Sequence, residues 1–132
     1  MSAFSTFHTR SKANEGIRIK LANPDGTPTD HWLQIRSVWS DEHQAARSEL
    51  IRMAVEHGKA NALEPLPPKE ERARSKEQDR LRRATCAASL IADWSNDEPL
   101  TQEAAVAFLL EARQVLVHIE RIAEDDKRFF GN

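Results

Sequence analysis

Between Leu90 and Leu109 the chain reads LIADWSNDEPLTQEAAVAFL. An apolar run ends in a tryptophan, a short polar segment follows, and proline and threonine precede a second apolar run. Thr101 is placed to cap the free N–H groups of a following helix, and Glu103 sits near the positive end of its dipole. The stretch predicts a helix ending at Trp94, a hinge, and a second helix from Thr101. A metal loop is the competing reading, because Asp93, Ser95 and Asp97 imitate the first three oxygen ligands of a calcium site. The imitation fails where Glu98 replaces the required glycine and Ala104 the bidentate glutamate. A joint between two helices is the expectation.

Downstream of the hinge, Phe108, Ala112, Val115, Ile119 and Ile122 follow a four–three spacing, interrupted at Asp126 and resumed at Phe129. That period is helical, and no Gly or Pro lies between 102 and 128. One helix over 101–129 is predicted, with Glu111 to Arg113 as the place where it could kink. Upstream, KEERARSKEQDRLRR is almost wholly polar and ATCAASLIADW almost wholly apolar. This predicts one helix over 69–94 that starts in solvent and ends in the core. Before it, Pro65, Pro67 and Pro68 make 60–68 a stiff linker.

The N-terminal half changes period. Ile17, Ile19 and Leu21 alternate with Arg18 and Lys20, and Leu33 and Ile35 alternate again in HWLQIRSVW, with Trp39 in register. Period two marks half-buried strands, and the Pro, Asp and Gly between them supply a turn. A two-stranded hairpin over 16–39 is predicted. Ser40 then caps a helix over 41–58, with Gly58 at its C-terminal stop. Residues 1–15 read as a flexible arm. The expected fold is mainly α with an N-terminal β-hairpin (α+β). Three to four helices pack on a two-stranded hairpin in a single domain over 16–132.

The chain's 132 residues suffice for one core without a metal or disulfide staple. Nineteen Lys and Arg against 21 Asp and Glu leave a net charge of −2, which disfavours polyanion binding overall. A lone cysteine, Cys86, and no long apolar run point to a soluble cytoplasmic protein with no membrane partner. The histidines at 8, 31, 43, 57 and 118 have no metal-ligand spacing, and no nucleophile motif or phosphate loop occurs. No catalytic residue, metal or cofactor is expected. Residues 69–83 hold seven cations, but Glu70, Glu71, Glu77 and Asp79 interleave with them, which is the pattern of a solvated helix face.

Trp32, Trp39 and Trp94 are the remaining signal. Tryptophan is first a core residue, but it also anchors interfaces. With Pro99, Leu100 and Phe108 around the hinge, these form the candidate partner-binding set.

The order of elements resembles the tail assembly chaperones of long-tailed bacteriophages and prophages, lambda-G-like in role. Their helix end of Leu-Val/Ile-x-x-Trp, a hinge, and a Pro-(x)-Thr-x-Glu-Asn helix start are matched by Leu90, Ile91, Trp94, Pro99, Thr101 and Glu103. Ala104 departs from the usual Asn, and a Pro-containing break some ten residues on is absent. The resemblance spans about residues 14–130. It implies a non-enzymatic protein of the host bacterial cytoplasm that is absent from the mature virion. Such a protein binds the phage tape measure protein, with the major tail tube protein as a second partner, and self-association is open. The alternatives are another phage structural or connector protein, or a small DNA-binding regulator using the basic helix 69–83.

Overall fold

The computed structural model describes residues 2–131. Three strands, β1 (Ile17–Ala22), β2 (Pro28–Ile35) and β3 (Ile91–Trp94), form one antiparallel sheet in the order β1-β2-β3. Six α-helices surround it: α1 (Arg10–Glu15), α2 (Asp41–Leu63), α3 (Pro68–Ala88), α4 (Gln102–Glu111), α5 (Arg113–Ala123) and α6 (Asp126–Phe130). A 3-10 turn, Ala3–Phe7, precedes them. The protein is therefore mainly helical with a small antiparallel sheet.

The expected hairpin pairs Ile17 with Ile35 and Ile19 with Leu33, so the alternating apolar residues share one face. Its turn closes with Gly26 at φ 93° and with Asp25 accepting from the Thr27 N–H at 3.0 Å. The hairpin ends at Ile35, short of residue 39, and Trp39 lies beyond the sheet, 55% exposed.

The sheet has a third strand where a helix end was expected. Helix α3 stops at Ala88, and Leu33 pairs with Trp94, Gln34 with Asp93 and Ile35 with Ile91. The outer edge of β2 would otherwise leave N–H and C=O groups without partners. Arg36 makes the change of direction possible. Its backbone N–H donates to the Leu90 carbonyl at 2.7 Å, and its guanidinium donates to the Ser89 and Ile91 carbonyls at 3.0 and 3.2 Å. The Ser89 carbonyl at the end of α3 and the Leu90 and Ile91 carbonyls that lead into β3 are thereby satisfied.

The reading of 1–15 as a flexible arm is corrected for residues 10–15; Met1 lies outside the described residues. Ala13 is fully buried, and its carbonyl accepts from the Ser37 N–H at 3.2 Å. Asp41 accepts from Arg10 Nε and Asn14 Nδ2, each at 3.0 Å, while its own N–H donates to Asn14 Oδ1 at 2.8 Å.

Helix α2 runs through Gly58 to Leu63, past the predicted stop and into the predicted linker. A C-terminal glycine stop needs a left-handed φ, which Gly58 does not have. The added turn is held by α3: the Asn61 and Gln78 amides exchange bonds of 2.8 and 2.9 Å, and Arg74 donates to the Glu64 carbonyl at 2.9 Å. The linker shrinks to four residues, 64–67. Pro68 opens α3, where its missing N–H costs nothing.

The predicted helix over 101–129 is three helices. It breaks at Ala112, with φ −96° and ψ 67°, inside the stretch singled out for a kink and without Gly or Pro. It breaks again at Asp125, so Asp126, the one polar interruption of the stripe, starts α6 and accepts from Trp39 Nε1 at 3.0 Å. The caps at Ser40 and Thr101 are as expected, accepting from the His43 and Ala104 N–H groups at 3.3 and 3.0 Å.

The core lies between the sheet and α3, α4 and α5. Leu33, Ile35, Leu90 and Ile91 meet Ala84, Ala87, Leu109, Leu116, Ile119 and Ile122. Alanines on α3 and α4 let those helices come close. Among the described residues, no helix is long and apolar enough to cross a membrane.

Candidate partner-binding groove

Trp94 closes β3 and sits 7% exposed against α4. Its ring meets Phe108 edge-on, with centroids 6.0 Å apart and planes at 90°, and its Nε1 donates to the Glu98 carbonyl at 2.8 Å. The tryptophan thus fixes both the hinge and the first turns of α4. Asp93 and Ser95 are engaged locally: Asp93 accepts from the Trp94 N–H at 2.9 Å, and Ser95 Oγ accepts from the Trp32 N–H at 2.9 Å.

Beside this pair a groove of about 580 Å³ opens between the hairpin and the α4–α5 bend. Leu21, Thr29, His31 and Leu33 come from the sheet, Trp94 and Ser95 from the β3 end, and Phe108, Ala112, Val115 and His118 from the helices. The break at Ala112 creates the recess, since a straight helix would carry Val115 and His118 past the sheet. No Asp or Glu lines it; Lys20 is its charged lining residue, with amides from Asn23, Asn96 and Gln114 at the rim. An apolar floor with a few neutral donors is the composition of a site for an apolar segment.

The six candidate residues are not brought together. Trp94 and Phe108 form the groove wall, and Trp32 borders it. Strand alternation puts the Trp32 indole on the opposite face of the sheet from Leu33, beneath Arg18, whose guanidinium carbon is 3.7 Å from the ring centroid. Leu100 lines a separate hollow with Arg36, Ile91 and Ala105, Pro99 is exposed in the hinge, and Trp39 stands apart on Asp126. The α5 residues Val115 and His118 and the hairpin's Leu21, Thr29 and His31 were missing from the set. The sheet residues share one face by alternation, so they were recoverable; the helix residues depended on the direction of the bend at Ala112, which the kink expected over Glu111 to Arg113 did not fix.

One polar chain crosses the interior. His43, 8% exposed, places Nδ1 2.9 Å from Ser89 Oγ, and the Ser89 hydroxyl donates to the Cys86 carbonyl at 2.6 Å. With the serine proton committed to that carbonyl, the imidazole donates to the hydroxyl and ties α2 to the end of α3. Burial first, and Arg47 one turn away second, hold the His43 imidazole below its ordinary pKa. Burial pushes the Cys86 thiol up, away from the reactive thiolate. Among the described residues no three His, Cys, Asp or Glu side chains converge as a metal set.

Comparison with known protein families, characterised proteins and solved structures gave no match.

Proposed function

We propose that this protein is a non-enzymatic tail assembly chaperone of a long-tailed phage or prophage, and that the Trp94–Phe108 groove receives an apolar helical segment of the tape measure protein. The observation that carries the reading is the groove itself. Of the residues through which the sequence resembles that family, Trp94 forms the wall of an open, largely apolar recess together with Phe108, which stands on the helix that Thr101 caps.

The rest of the molecule suits the role. A highly charged exterior keeps a helper in solution while it shields an aggregation-prone helical partner. A helix laid in such a groove is held by apolar side chains at i, i+3, i+4 and i+7. In this account the protein works in the host cytoplasm, delivers the tape measure to tube subunits, and leaves before the virion is complete.

Co-expression with the tape measure protein of the same genome tests the proposal. The two should elute together from a sizing column; separate elution, with both soluble, overturns it.

A further inference from the structure

Helix α3 sorts its charges in a way the linear sequence hides. At 100° per residue, Lys69, Arg72, Lys76, Arg80 and Arg83 fall within about 80° of one another around the helix axis. All five are exposed. The row spans 15 residues, or about 21 Å at the helical rise.

The other two cations of the segment turn inward. Arg74 bonds Glu71 and the Asn61 and Glu64 carbonyls, and Arg82 bonds Asp79 and lies 2.6 Å from His57 Nδ1. Glu77 and Glu70 lie about 60° and 80° beyond one edge of the row, while Asp79 borders the other edge, about 20° from Arg72, with its charge paired to Arg82. Arg83 pairs with Glu120 on α5, and Arg80 approaches Glu77 at 3.6 Å. Lys69, Arg72 and Lys76 make no ion pair among the described residues.

We propose that this row is a second docking surface, for an acidic helix of a partner protein that presents Asp or Glu at matching four–three spacing. The inference goes beyond the apolar groove and stands independently of it, since no α3 residue lines that groove. Width identifies the partner. A helix about 10 Å across meets a single row of side chains. A nucleic-acid duplex laid on α3 would also bring its dense phosphates over Glu70 and Glu77.

The probe is an alanine-based helical peptide carrying four glutamates at four–three spacing, compared with a peptide of the same composition whose glutamates are spread around the helix. Fluorescence anisotropy in low salt should show the aligned peptide binding at least about fivefold tighter, with affinity falling as salt rises. Arg72→Glu/Lys76→Glu/Arg80→Glu should weaken it by about tenfold or more and should bind the same peptide with lysines in place of glutamates. The three sites are exposed helix positions; if the reversed variant loses helical signal, Arg72→Gln/Lys76→Gln serves the same comparison. Four results each overturn the proposal: equal affinity for the two peptides, unchanged affinity in the variant, tighter binding of a 20-base-pair duplex than of the peptide, or a self-associated species that disappears in the variant.

Discussion

Trp94 and Phe108 meet edge-on at 6.0 Å, and through that contact a four-residue strand is locked to the helix on the far side of the hinge. Edge-to-face pairs of this kind contribute about 0.5–1.5 kcal/mol beyond their buried area. Trp94 is structural first, so Trp94→Ala should cost about 3–5 kcal/mol of stability. Trp94→Phe should cost about 1–3 kcal/mol, because it keeps the ring contact and leaves the Glu98 carbonyl without its donor. Urea denaturation measures both; a Trp94→Ala protein as stable as wild type would show that the strand is held by something else.

Three glycines give a sign test of the backbone. Gly16 has φ +78°, and a Cβ there would lie 2.2 Å from the Ile35 carbonyl oxygen. Gly16→Ala should therefore destabilise by about 2 kcal/mol or more. Gly26 is also left-handed, at φ +93°, but faces open space, so Gly26→Ala should cost about 1 kcal/mol, for strain alone. Gly58 lies inside α2 with nothing near its missing side chain, and Gly58→Ala should stabilise by about 0.5–1 kcal/mol. The melting temperatures should rise from Gly16→Ala through Gly26→Ala to Gly58→Ala. A destabilised Gly58→Ala would mean that α2 ends where its glycine first suggested.

Acid should loosen the α2–α3 tie before it unfolds the rest. His43 is buried and its folded pKa lies below the unfolded value near 6.5. The unfolded chain therefore takes up the proton first, and stability falls as pH drops below about 6.5. The groups facing His43 are Arg47 from its own helix, the Cys86 carbonyl and Ser89 from α3 and its end, and Glu120 and Glu124 from α5. Denaturation midpoints between pH 7.5 and 5 should slope downward, and His43→Gln should flatten that slope while lowering stability at neutral pH. An unchanged slope in the variant would assign the acid sensitivity to other groups.

The legible parts of this fold were those whose cause is local. Ser40 and Thr101 cap helices because a side-chain oxygen satisfies nearby N–H groups, and Ile17, Ile19 and Leu21 alternate because a strand shows one face to the core. The third strand was not legible. IADW can end a helix or pair as an edge strand, and the choice depends on Arg36, 55 residues before Ile91, reaching the carbonyls at the end of α3. Gly58 misled for the same reason, since the turn beyond it is held by bonds from Asn61 and Glu64 to Gln78 and Arg74 on α3. Of the candidate site, the wall of Trp94 and Phe108 was readable from the hinge. The α5 side of the groove required the direction of the break at Ala112, since the sequence marked Glu111 to Arg113 as a place to kink but not which way α5 would turn.

Val115 tests the central claim most directly. It borders the groove from α5 and is half-buried, so Val115→Glu places a carboxylate in an apolar recess that has none. Calorimetric titration of the tape measure protein into wild type and Val115→Glu should show at least about tenfold weaker binding to the variant, with its fold intact by circular dichroism. Equal affinity in the two proteins would contradict the assignment of this groove as the face that holds the partner.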